Sequence, residues 1–183
     1  MTPWPTPPGS MIVALPTAAS THEFGRGRLA ALLQPGDLII ASGPLGVGKT
    51  ALVQGIGAGL RVEEAVLSPT FVIARVHRSG RIPLVHVDAY RLHSITEIDD
   101  LDLDAELADS VTVVEWGEGL VEHLSDEHLL IELTWATESA DSLHSRHSES
   151  CDGPEAPGAE ARSALLTAYG PRWQARLPSV TAP

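Results

Sequence analysis

Lys49 is the only lysine in the chain, set against eleven arginines. A position where arginine has not displaced lysine suits a slim point charge better than a broad fork, and lying along a phosphate chain is such a task. The surroundings of Lys49 agree. Gly43-Pro-Leu-Gly-Val-Gly-Lys-Thr50 has the form G-x-x-x-x-G-K-T, in which glycines let backbone N–H groups turn toward phosphates. Lys49 then reaches the β- and γ-phosphates and the Thr50 hydroxyl is a Mg²⁺ ligand. On this reading Gly43, Leu45, Gly46, Val47, Gly48, Lys49 and Thr50 bind the cofactor.

A phosphate loop needs an acid at the end of a neighbouring strand to organise the metal and the water. Two residues meet that description: Asp88, closing Leu84-Val-His-Val, and Glu115, closing Val111-Thr-Val-Val. If the strands before Gly43 and Glu115 are parallel, Glu115 falls beside the phosphates, since ligands of open α/β sheets lie beyond the carboxyl ends of parallel strands. Thr50 with one of Asp88 and Glu115 would hold Mg²⁺, while the other acid orients or deprotonates water. Lys49, Asp88 and Glu115 are thus the candidate catalytic residues, and Thr50, Asp88 and Glu115 the candidate metal ligands. His77, His86 and His93 lack a metal-ligand arrangement. His144, His147 and Cys151 have suggestive spacing, but they lie in a stretch of low complexity and read as solvated residues.

Guanine selection by an Asn-Lys-x-Asp motif is impossible with the sole lysine already in the loop, so the expected nucleotide is ATP. The group Arg75, Arg78, Arg81 and Arg91 could instead serve an acceptor site. A small-metabolite P-loop kinase is therefore the alternative to a compact ATPase or ATP-operated switch.

The elements that must position these residues follow from the apolar pattern. Asp37–Ser42 has the length and composition of a buried parallel strand, and the residues after Lys49 continue with helical spacing as far as Gly57 and Gly59. The motif thus falls at a strand-to-helix turn, whose helix N-terminus adds positive potential. Met11–Leu15 reads as a first strand. Ser20 or Thr21 is expected to cap a helix over 21–33, ended by Pro35-Gly36. Residues 68–77 and 82–87 flank a Ser-Gly loop as a hairpin, which makes the sheet mixed. The acidic stretch 95–110 predicts one or two short helices with a solvated face. Strands at 111–114, 129–134 and 162–168 follow, with short helices near 118–123 and 171–177. The whole is an α/β, P-loop NTPase-like mixed sheet flanked by helices, in a single domain.

Composition sets the boundaries. Residues 1–10 are a Pro-rich tail with no basic or apolar leader pattern, 11–135 the P-loop ATPase domain, 136–160 a Ser/His/Glu/Gly/Pro-rich disordered insertion, and 161–183 a strand and helix that complete the domain. One cysteine and no long apolar run point to a cytoplasmic protein without membrane contact. The net charge of −12 is uneven: residues 1–95 carry eight Lys/Arg and five Asp/Glu, and residues 96–183 four and nineteen. Such an acidic half argues against unaided nucleic-acid binding, in which phosphate contacts supply most of the affinity.

Four motifs in register carry a specific resemblance: Gly43-x-Leu-Gly-x-Gly-Lys-Thr50, Ser68-Pro-Thr-Phe71, His86-x-Asp-x-Tyr-Arg-Leu92 and Glu115-Trp116. Over roughly residues 12–135 and 161–177 the chain resembles the TsaE (YjeE) family, bacterial ATPases required for threonylcarbamoyladenosine in tRNA. The resemblance implies a Mg²⁺-dependent ATPase, weak unless in complex, that acts with TsaD and TsaB and meets tRNA only indirectly. TsaD, in that family picture, carries the carbamoyl-transfer chemistry. It also implies that Ser68 and Thr70 belong to a switch-like segment on the γ-phosphate side. Asp88 and Glu115 match the family's two important acids, Glu115 being the stronger choice for Mg²⁺ or water. Trp116 matches its adjoining tryptophan, and base contacts are implied near residues 17–21. Pro44, Ala89 and His77 depart from the family's usual Asp, Leu and Tyr.

Overall fold

The computed structural model describes residues 9–136 and 161–180. The expected tail and insertion fall almost entirely outside the described residues. β1 (Ser10–Leu15) is followed by α1 (Ala18–Glu23), a wide π turn over Phe24–Leu29, and α2 (Ala30–Leu32). β2 (Asp37–Ser42) leads through the glycine-rich loop into α3 (Lys49–Gly59). Then come β3 (Ala74–His77), β4 (Leu84–Asp88), α4 (Ile95–Asp99), α5 (Asp104–Leu107) and β5 (Val111–Glu115). A 3₁₀ turn at Glu122–Leu124, β6 (His128–Trp135), β7 (Arg162–Ala168), α6 (Pro171–Arg176) and a second 3₁₀ turn at Leu177–Val180 complete the order of the described residues.

The seven strands form one sheet in the order β1-β7-β6-β2-β5-β4-β3. Its centre is parallel, with β2 between β5 and β6 and β4 beside β5; β3 and β7 run antiparallel to it, and the edge strand β1 pairs antiparallel with β7. Parallel strands are buried on both faces, and the runs Leu38–Ala41 and Val111–Val114 are accordingly apolar on both, apart from the buried Thr112. Alternation divides them. Ile39, Leu84 and Val113 face α3 and the π turn, whereas Leu38, Ile40, Val85, Val87 and Val114 pack on Ile98 of α4 and Leu103. Each such aliphatic side chain contributes about 1.5–3 kcal/mol of burial.

Four sequence expectations change. The first helix begins earlier, because Thr17 rather than Ser20 or Thr21 is its cap: Thr17 Oγ1 accepts from the Ser20 amide at 3.0 Å, and the Ser20 hydroxyl accepts from the Thr17 amide at 2.9 Å. That reciprocal pair satisfies two amides that would otherwise be orphaned. The hairpin is shorter, since only Ala74–His77 pairs with β4 and residues 68–73 lie outside the sheet. The helix near 118–123 is only the 3₁₀ turn Glu122–Leu124. Gly57, which reads as a helix-end signal, lies inside α3. Its neighbours explain the glycines there: a Cβ at Gly55 would sit 2.0 Å from the His22 carbonyl oxygen, and one at Gly59 2.2 Å from that of Arg26. Bare backbone lets α3 press onto α1 and the π turn, which fixes its start at Lys49.

The C-terminal segment fastens the same sheet from below. Arg176 donates bidentately to the buried Asp37, at 2.8 and 2.7 Å, at the first residue of β2. Trp173 is buried beneath it, with the guanidinium 4.1 Å from its ring.

Candidate functional site

The register of the parallel strands places the two acids. Asp88 and Glu115 are opposite each other as the last residues of β4 and β5, and Ala41 of β2 pairs with Glu115 on its other side. Side chains two residues apart share a face, so His86, Asp88, Val113 and Glu115 all point toward α3. The glycine-rich loop leaves β2 on that face and returns as α3. Gly43, Gly46 and Gly48 have φ of 129°, 79° and 113°, the left-handed region that glycine enters without steric cost. At Gly43 there is a second reason, because a Cβ would lie 2.2 Å from the Leu133 carbonyl oxygen.

Lys49 and Thr50 are the first two residues of α3. Lys49 Nζ donates to the carbonyls of Gly43 at 2.7 Å and Pro44 at 2.9 Å, which leaves one of its three donors for a ligand. The ammonium also lies 3.6 Å from the centroid of the Trp116 ring. Burial holds its pKa below the usual lysine value, with the charges of Glu115 and Asp88 acting in the opposite sense. The Thr50 hydroxyl donates to both oxygens of Glu115, at 3.0 and 3.1 Å. Trp116 reaches the lysine only because its own backbone turns back, at φ 62°, with its amide bonded to the Ala41 carbonyl at 3.0 Å. A non-glycine residue there carries strain of about 1–3 kcal/mol, held by the surrounding contacts.

On the opposite rim, the Thr70 hydroxyl donates to Asp88 Oδ2 at 2.6 Å and lies 2.6 Å from the Ser68 hydroxyl. Arg91 donates to the Thr70 carbonyl. Ile73 leaves the segment at φ 69°, an unfavourable value for a β-branched residue, before β3 begins. Between the rims is a cavity of about 290 Å³ lined by Leu45, Gly46, Gly48, Lys49, Thr50, Ser68, Thr70, Asp88, Glu115 and Trp116.

Most of the residues singled out from sequence therefore meet at one cavity. Gly43 and Val47 do not line it: Gly43 is pressed against β6, and Val47 is buried in the α3-side core. Residues 17–21 adjoin the loop through Thr21, which packs on Gly48. The arginine group does not assemble, for Arg78 pairs with Glu106, Arg81 bonds the Ala30 carbonyl, and Arg91 bonds Thr70. Two side chains have roles that sequence reasoning does not assign. Arg162, the first residue of β7, donates to the Val47 carbonyl at 2.9 Å and braces the loop from a distant part of the chain. His86, which opens the His86-x-Asp-x-Tyr-Arg-Leu92 motif without a role assigned to it from sequence, bonds Glu115 at 2.8 Å.

The donor set suits a hard divalent cation carried by phosphates. Thr50 and Glu115 offer adjacent oxygens, and Mg²⁺ uses one or two protein oxygens and completes its shell with phosphate and water. Among the described residues no group of three or more His, Cys, Asp or Glu side chains could hold a metal alone.

Residues 15–145 match the family described as threonylcarbamoyl adenosine biosynthesis protein TsaE. The chain belongs to the TsaE family. It is 49% identical to the tRNA threonylcarbamoyladenosine biosynthesis protein TsaE of Streptomyces coelicolor over 165 residues, covering 88% of this chain and 99% of that one. Identity to the TsaE protein of Mycobacterium tuberculosis is 48% over 134 residues, 68% of this chain and 79% of the relative. The crystal structure of YdiB from Bacillus subtilis superposes with a TM-score of 0.69 at 24% identity, covering 94% of each chain. The fold is thus that of a P-loop NTPase-like domain, and nucleotide binding accords with it. Among the described residues no helix is long and apolar enough to cross a membrane.

Proposed function

We propose that this TsaE-family chain is the ATP-binding and ATP-hydrolysing subunit for threonylcarbamoyladenosine modification of tRNA, acting in the cytoplasm with TsaD and TsaB as an ATP-driven switch. The observation that carries the reading is the joining of Thr50 to Glu115 on one rim of the cavity, facing Ser68 and Thr70 hydroxyls tethered to Asp88 on the other. The name borne by the relatives supplies the biological process.

Lys49 and the loop amides would bind the phosphates, and Thr50 and Glu115 would hold Mg²⁺, which neutralises charge developing on the phosphoryl oxygens. Asp88 or Glu115 would orient the attacking water. Ser68 and Thr70 would respond to the γ-phosphate, so that the segment they occupy changes its partner contacts between nucleotide states. Contact with tRNA would be indirect, as the acidic second half of the chain favours.

The test is ATP turnover by the full chain, alone and with TsaD and TsaB. Little hydrolysis alone and a clear rise with both partners is expected; negligible hydrolysis in their presence would overturn the reading. Lys49→Ala should weaken nucleotide binding, whereas Glu115→Ala should bind ATP and fail to hydrolyse it.

A further inference from the structure

His86 is fully buried in the middle of β4, and nothing in its strand requires a polar side chain: Val85 and Val87 flank it and Val113 is its register partner. Yet its Nε2 lies 2.8 Å from Glu115 Oε1, and its Nδ1 is buried without a hydrogen-bond partner. Those two facts determine which nitrogen carries the hydrogen. A carboxylate only accepts, so Nε2 must donate; an N–H at Nδ1 would then be a buried donor with nothing to receive it, a cost of about 1–3 kcal/mol. The ring is therefore held as the Nε2–H tautomer, aimed at one oxygen of Glu115.

We propose that His86 is the positioning residue for Glu115. The Thr50 hydroxyl now donates to both oxygens of that carboxylate. On the functional reading above, on which this inference rests, Thr50 would offer its oxygen to the metal and would no longer restrain Glu115. His86 approaches from β4, on the side away from the loop, and keeps its bond throughout. It holds the carboxylate in its rotamer, in the way that outer-shell donors orient metal-binding carboxylates. Asp88, on the same face of the same strand, has no histidine. Its Oδ2 receives the hydroxyls of Ser68 and Thr70, and its Oδ1 the Tyr90 amide.

The test compares His86→Gln, whose amide extends an N–H toward the same oxygen, with His86→Leu, which fills the space without a donor. In the assembled system the Leu variant should lose about 10- to 100-fold in kcat with little change in KM for ATP, and the Gln variant should recover most of it. The tightening of ADP binding by Mg²⁺ should shrink in the Leu variant and return with Gln. Equal impairment of the two variants, or a Leu variant with wild-type kcat, would overturn the proposal. A readout independent of turnover is long-range ¹H–¹⁵N NMR of the nucleotide-free full chain. The Nε2–H pattern at His86 is expected, and the Nδ1–H pattern would overturn the assignment even if neither variant folds. Absence of ATP hydrolysis in the wild type would remove the functional reading while the tautomer still decides the geometry at Glu115.

Discussion

Asp88 and Glu115 end neighbouring parallel strands at the same level of the sheet, and both carboxylates are buried. Their partners belong to different parts of the molecule. Glu115 accepts from Thr50 in the first turn of α3 and from a fully buried histidine in the middle of β4. Asp88 accepts from its neighbouring Tyr90 amide and from Ser68 and Thr70, on the segment 68–73 outside the sheet, where Phe71 is 91% exposed. The same acid chemistry is thus bonded to core elements on one strand and to a segment outside the sheet on the next. Local stability follows the number of buried contacts a segment makes. The site thus has one half bonded into the core and one half bonded to a segment outside the sheet, and exposed apolar side chains stand on both, Leu45 on the first and Phe71 and Val72 on the second.

The largest test of that contrast is at Gly43. Gly43→Ala forces a Cβ into the Leu133 backbone at a φ unsuited to alanine and should cost about 3 kcal/mol or more. Gly46→Ala meets the same kind of φ with no atom within 4 Å and should cost about 1 kcal/mol. Thermal or urea unfolding measures both, and equal losses would mean that the loop is not clamped against β6.

A smaller effect is expected across the cavity. Thr70→Val removes the 2.6 Å bond to Asp88 and, at an exposed segment, should cost under about 1 kcal/mol of stability. Amide hydrogen exchange around Pro69–Ile73 should nevertheless speed up, with protection in α3 unchanged. Slowed turnover with unchanged exchange would sharpen the role to chemistry alone; loosening of α3 would break the contrast.

The smallest effect concerns pH. Burial, helped by the nearby Glu118, raises the pKa of Glu132 above its usual 4.5. A carboxyl that binds its proton more tightly when folded adds stability at low pH, and that stability is lost as pH rises from about 4.5 through the raised value. Glu132→Gln should therefore stabilise the chain slightly at neutral pH, by no more than about 0.5 kcal/mol, and should not do so at pH 4. Melting curves at the two pH values decide it, and an equal gain at both would place the effect elsewhere.

The half bonded into the core was largely legible in the sequence. A strand, a glycine-rich turn and a helix are local patterns, and Gly43–Thr50 writes all three in consecutive residues. The strand ends at Asp88 and Glu115 were legible for the same reason, as apolar runs closing on an acid. The first helix was misplaced because the capping pair Thr17 and Ser20 looks much like the alternative at Ser20 or Thr21. The hairpin was overextended because residues 68–73 have strand-like composition but leave the sheet at Ile73.

Sequence alone, then, determined the phosphate loop, the family and the two acids, because each depends on residue types at short, fixed spacings. Tertiary structure decided how the acids differ. Whether a carboxylate meets a buried histidine or a hydroxyl from outside the sheet depends on strand order, on parallel register and on which face a side chain takes. His86 lies twenty-nine residues from Glu115 along the chain, and only the pairing of β4 with β5 brings them to 2.8 Å. Arg162 is 115 residues from Val47 and braces the loop only because β7 folds back beside β6. Local pattern specifies the groups, and the sheet's long-range pairing assigns them their partners.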